Sequence, residues 1–98
     1  MSLNRHNPVR DLNELEIISA FLERGWRVQR LSGAGVPDLL IKSPSDGQLY
    51  VVEVKGPKGY LTPAQRRWWA AWDEAPTIIR TVEDVVAFHM LKGSSSDE

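Results

Sequence analysis

Two apolar stretches, Asp38 to Lys42 and Leu49 to Lys55, stand on either side of Ser43-Pro44-Ser45-Asp46-Gly47. A run of serine, proline, aspartate and glycine is turn chemistry, so the two stretches are expected to fold back on each other as antiparallel strands. If the hairpin is symmetrical about the point between Ser45 and Asp46, Asp38 lies directly opposite Glu53. Directly opposed residues share a face, with side chains about 5 Å apart. Lys55, two residues past Glu53, joins them there. Both strands are apolar on both sides, through Leu39, Leu40 and Ile41 in one and Val51, Val52 and Val54 in the other. That pattern implies a sheet covered by helices on each face.

The remaining elements are read around this hairpin. Asp11 to Arg24 has helical periodicity, with Leu15, Ile18 and Leu22 along one edge of an apolar arc and Ile17 and Phe21 along the other. Gly25 signals its C-terminal cap. Trp26 to Leu31 alternates as a strand, and Ser32-Gly33-Ala34-Gly35 breaks it. A second break, Gly56-Pro57-Lys58-Gly59, follows Lys55. Thr62-Pro63-Ala64-Gln65 then opens a helix reaching to about Glu74, with threonine as N-cap, proline in the first turn and glutamine closing a capping box. Pro76 stops it, Thr77 to Arg80 forms a short strand, and Thr81 caps a last helix through Leu91. The predicted order is αβββαβα, an α/β fold. Residues 1–10 read as a flexible lead, 11–92 as one domain and 93–98 as a disordered tail.

A chain of 98 residues has room for one core. The absence of cysteine excludes disulfides, zinc–thiolate sites and cysteine nucleophiles, and suits a reducing cytoplasm. No apolar run approaches the roughly 20 residues of a membrane span, and the N-terminus has no signal-peptide core. A cytoplasmic protein with no membrane partner is the expectation. The net charge of −1 conceals an uneven distribution. Between Arg24 and Arg67, eight basic residues face three acids, a net of +5, and the rest of the chain carries −6. A local basic surface neutralises phosphates even when the whole chain is close to neutral.

Two carboxylates facing each other across an antiparallel pair repel and weaken the sheet. A hard divalent cation removes that cost. Mg2+ usually takes one or two carboxylates together with waters and substrate phosphate oxygens, and the Val54 backbone carbonyl is a further oxygen at this point. Such an ion polarises a phosphoryl oxygen and lowers the pKa of a coordinated water. Lys55 is placed to orient that water or to stabilise charge on the attacked phosphate. The first helix supplies an independent sign: Glu14 falls near the middle of its apolar arc, whereas Glu16 falls on the solvent side. A core-facing carboxylate is costly unless it is paired, and coordination to the ion, or a hydrogen bond to its water, would be a reason for one. Taken singly, Asp38 could cap a turn, Glu53 and Lys55 could be a surface pair, and Glu14 could reach solvent from the first turn. Together they favour catalysis.

Pro37-Asp38 and Glu53-Val54-Lys55, preceded by a helix bearing Glu14, resemble the PD-(D/E)xK nuclease superfamily. More narrowly, Gly35-Val36-Pro37-Asp38-Leu39-Leu40, Glu53-Val54-Lys55 and Leu61-Thr62-Pro63-Ala64-Gln65 resemble the VRR-NUC (virus-type replication–repair nuclease) family, over Asn13 to Leu91. The resemblance implies a restriction-endonuclease-like core with a mixed central sheet flanked by helices. It implies Asp38, Glu53 and the Val54 carbonyl as metal ligands, Lys55 as the catalytic lysine, Glu14 as the helix glutamate and Gln65 as the motif glutamine. It further implies a Mg2+- or Mn2+-dependent endonuclease for branched DNA, similar to Holliday-junction resolvases, acting as a homodimer with a two-fold axis. The alternative is a non-catalytic DNA-binding or assembly module that keeps the fold.

Lys58, Arg66 and Arg67 are the candidate phosphate contacts, with a solvated helix surface as the equal alternative. Tyr60 either positions DNA or packs the helix entry. Gly35, in a loop that leads into a strand rather than a helix, is expected to let a phosphate backbone approach Asp38. Gln65, Trp68, Trp69 and Trp72 share one helical face, and the tryptophans are expected as core or dimer interface ahead of base-stacking platforms. His89 is expected as a partly buried helix residue and His6 as part of the lead. Neither is expected to act as general base.

Overall fold

The chain runs through α1 (Pro8–Glu23), β1 (Arg27–Arg30), β2 (Leu39–Lys42), β3 (Leu49–Val54), α2 (Pro63–Ala71), β4 (Ile78–Ile79), α3 (Val82–Phe88) and a π-helical turn, His89–Gly93. This is a computed structural model that describes residues 8–94, with side chains from Leu12 onward. The order is the expected αβββαβα. Most of the expected lead, His6 included, and the last four residues of the expected tail lie outside the described residues.

The four strands form one sheet in the order β1-β2-β3-β4. The first three are antiparallel neighbours and β4 runs parallel to β3, so the sheet is mixed. Leu39 lies opposite Val52 and Lys42 opposite Leu49, the register that a symmetrical hairpin imposes. Its turn is held by short-range bonds: the Gly47 amide donates to the Ser43 carbonyl (3.1 Å), and the Gln48 amide to Asp46 Oδ1 (2.9 Å).

Strand alternation sorts the sheet into two unlike faces. Leu39, Ile41, Val52, Val54 and Ile79 join Ile17, Ala20 and Phe21 of α1 and Val85 of α3 in one core layer. Trp26 extends it, edge-on to Phe21 at 5.4 Å and tilted against Phe88 at 5.5 Å. The other face is not covered along its whole length, contrary to expectation. Helix α2 packs over Glu53 and Lys55 at one end, while Arg27, Gln29, Lys42 and Leu49 at the other end are exposed.

Three further expectations need correction. Leu15 and Leu22, placed in the core-facing arc of α1, are half exposed at 50% and 54%, because Ile17, Ala20 and Phe21 already fill the contact with the sheet. Helix α1 begins at Pro8, inside the stretch read as lead. Gly93, read as the start of the disordered tail, is buried and ends the π-helical turn. A Cβ there would fall 2.5 Å from the Trp26 ring and 2.6 Å from His89 Nδ1, so only glycine lets the chain close over that pair. His89 is partly buried as expected, and its Nδ1 accepts the Trp26 indole N–H at 3.0 Å.

Candidate active site

Glu53 has no exposed surface and Lys55 only 7%. Two ionisable side chains one step apart on a strand would not be buried without specific partners. Helix α2 supplies them. Its N-cap Thr62 and its N3 residue Gln65 form a capping box, the Thr62 amide donating to Gln65 Oε1 at 2.8 Å. The same Oε1 accepts Lys55 Nζ at 2.9 Å, and Gln65 Nε2 donates to Glu53 Oε1 at 3.3 Å. One turn further on, the buried Trp69 donates its indole N–H to Glu53 Oε2 at 3.1 Å. The local rule that starts the helix therefore also sets Glu53 and Lys55 in place.

Asp38 precedes β2 by one residue, where the register continues to Glu53. Its Oδ2 accepts the Val54 amide at 2.7 Å. Glu53 and Lys55 donate their amides away from β2, to the Thr77 and Ile79 carbonyls at 2.8 and 3.1 Å. Val54, between them, presents its N–H and C=O toward β2. The position that would answer Val54 there is Pro37, which carries no N–H. Pro37 therefore offers the Val54 carbonyl no backbone donor.

Burial raises the Glu53 carboxyl from its ordinary 4.5 to about 7. The neighbouring Asp38 adds to the rise through charge and a side-chain hydrogen bond, while the Trp69 hydrogen bond and the Lys55 charge oppose it. A divalent cation fits this donor set. Two carboxylates raise each other's cost, and a buried carbonyl beside them faces a proline that has no N–H to give. Among the described residues no three or more His, Cys, Asp and Glu side chains gather to hold a metal. An ion here would rest on Asp38, Glu53 and the Val54 carbonyl, an all-oxygen set that suits a hard divalent cation.

The structure brings Asp38, Glu53, Val54, Lys55 and Gln65 together. Glu14 comes from α1, the layer on the other face of the sheet, where its Oε2 is 3.0 Å from Arg30 Nε. It is largely enclosed, with 16% of its side chain exposed, whereas Glu16 is exposed, as the helical phase predicts. Asn13, beside it, donates to the Lys55 and Arg80 carbonyls at 3.3 and 3.4 Å and draws the start of α1 to this end of the sheet. Lys58, Tyr60, Arg66 and Arg67 are all exposed around the site. Gly35 also has a packing role within the chain. A Cβ would lie 2.7 Å from the Ala64 carbonyl oxygen, so its missing side chain admits the first turn of α2.

Two contributors were not legible as such. From sequence Trp69 reads with Trp68 and Trp72 as core or interface, although its spacing of four from Gln65 puts both on one helical face. Trp72 in fact leaves the core, 64% exposed. From sequence Arg80 reads only as the end of a strand. Its Nη1 donates to the Gly56 and Gly59 carbonyls at 2.6 and 2.9 Å and secures the loop that follows Lys55.

A profile of the VRR-NUC domain matches residues 9–81. No curated protein and no solved structure matches the chain. The match spans all four strands and α2, and contains the paired carboxylates, the buried lysine and the glutamine described above. On that match, the chain belongs to the VRR-NUC family of nuclease domains.

Proposed function

We propose that this protein is a Mg2+- or Mn2+-dependent endonuclease that hydrolyses phosphodiester bonds in branched DNA, working as a homodimer. The observation that carries the reading is the buried pair Glu53 and Lys55, held by one glutamine beside Asp38 and a Val54 carbonyl that faces a proline. A structural sheet gains nothing from enclosing such groups. Asp38, Glu53 and the Val54 carbonyl would hold the cation, which when bound supplies Lewis-acid polarisation of the phosphoryl oxygen and a lowered pKa for the attacking water. Lys55, oriented by Gln65 Oε1, donates to the non-bridging oxygens as negative charge grows on the phosphate. Glu14, tethered by Arg30, orients water from the far side of the sheet end. Lys58, Arg66 and Arg67 meet flanking phosphates, and Tyr60 borders the DNA path.

The test is cleavage of labelled junction, flap, splayed and linear DNAs in Mn2+, with Asp38→Ala and Lys55→Ala beside the wild type. Both variants should fold and lose at least a hundredfold in rate, an effect of the size expected for removing charge stabilisation at the reacting phosphate. Calorimetry should show Mn2+ binding lost in Asp38→Ala. Wild-type protein that cuts none of these DNAs would overturn the enzymatic reading. DNA binding with no metal dependence would replace it with a non-catalytic module.

A further inference from the structure

We infer that the uncovered end of the sheet is a second contact surface for the DNA strand, centred on Arg27 and Lys42. The inference rests on the nuclease reading, because it names where the substrate of that site continues. Arg27 and Lys42 are direct cross-strand partners at the end of the β1–β2 ladder. Like charges in that position destabilise a sheet. Both side chains are exposed, and among the described residues neither makes an ion pair. A polyanion resolves that repulsion.

The surroundings suit a nucleic-acid strand. A groove of about 230 Å³ is lined by Arg27, Gln29, Leu40, Ile41, Lys42 and Leu49, none of them acidic. Leu49 is 56% exposed and Leu40 half buried, which sets an apolar floor beside the two adjacent cations. Cations at the rim meet phosphates, the Gln29 amide can bond phosphate or sugar, and the floor accepts sugar and base edges. Alternation puts the groove on the face that carries Asp38 and Glu53: Gln29 opposes Leu40, Leu40 opposes Val51, and Lys42 opposes Leu49. Lys42 is four residues from Asp38, about 13 Å along an extended strand. At one charge per 3.4 Å of helix axis on each DNA strand, that is roughly four phosphates from the scissile one.

The experiment measures binding of fluorescent duplex and junction DNA across a salt series, with Ca2+ in place of the catalytic cation so that cleavage does not intervene. The proteins are full-length wild type, Arg27→Ala/Lys42→Ala, and the charge-preserving Arg27→Lys/Lys42→Arg. Loss of two phosphate contacts should lower the slope of log K against log salt by about 1.8 and weaken binding at 0.1 M salt by tens of fold. The charge-preserving pair should stay near wild type. Circular dichroism and urea titration report whether each variant folds. An unchanged slope in the folded double alanine variant overturns the inference. So does a change in sedimentation with an unchanged slope, which would make this face a contact between copies of the chain. Wild type that binds DNA through these residues yet never cleaves sinks the nuclease reading and leaves the surface standing. Cleavage with an unaltered slope does the reverse.

Discussion

The Gln65 amide joins the helix start to the site. Its oxygen accepts from the Thr62 amide and from Lys55 Nζ, at 2.8 and 2.9 Å, and its nitrogen donates to Glu53. Trp69 holds the other Glu53 oxygen. These bonds differ in what they do to Glu53. Burial pushes the carboxyl up toward 7, and the indole hydrogen bond is the first influence that opposes it. Trp69→Phe keeps most of the packed ring and removes only the donor. The Glu53 carboxyl should then titrate at higher pH, and the acidic limb of the cleavage profile should move up by a few tenths of a pH unit to about one unit. The plateau above that limb should change less. Steady-state rates across pH would show it, and an unmoved limb would mean that the limb reports a group other than Glu53.

At the scale of elements, what was legible in the sequence was what short range decides. The hairpin register followed from one turn, because Ser43 to Gly47 bends the chain at a point that leaves Leu39 facing Val52. The capping box announced α2 and, with it, the direction in which Gln65 points. Less legible was everything settled by contact between distant segments. Leu15 and Leu22 read as core because α1 carries apolar residues around more than one face, and only the packed sheet decides which are buried. The last helix changes pitch at His89 because Trp26 and Gly93, 67 residues apart in sequence, close around it. Gly35 shows the same limit. Its place before Pro37-Asp38 suggests an opening for DNA, and its packing against Ala64 emerges only in the fold. Gly35→Ala should therefore cost at least about 2 kcal/mol, since it meets both a φ of +78° and backbone at 2.7 Å. Gly56→Ala, with nothing within 4 Å of the added carbon, should change stability far less. Urea unfolding of the two variants makes the comparison, and equal losses would contradict the packing of α2 on the Gly35 loop.

For the molecule as a whole, one buried carboxyl ties stability to pH and, on the proposed reading, to metal. In the fold Glu53 titrates near 7, against about 4.5 when the chain is unfolded. Between these values the folded protein holds a proton that the unfolded chain releases. The Glu53 contribution is therefore fully present below about pH 4.5 and is lost as the pH rises through 7, a change of about 3 kcal/mol. Other carboxylates titrate over part of this range, so the quantity to measure is the difference between wild type and Glu53→Gln in chelator. That difference should shift against the wild type as pH rises and flatten above about 8. A divalent cation at Asp38 and Glu53 needs the ionised form and must displace the proton. Its apparent affinity should climb about tenfold per pH unit below 7 and level off above, with about one proton released per ion bound. Calorimetry of Mn2+ binding in two buffers of different ionisation enthalpy counts that proton. Loss of pH dependence in Glu53→Gln would tie it to this carboxyl. Binding by the wild type that is as tight at pH 5 as at pH 8 would place the ion away from Glu53 and separate the buried pair from the metal.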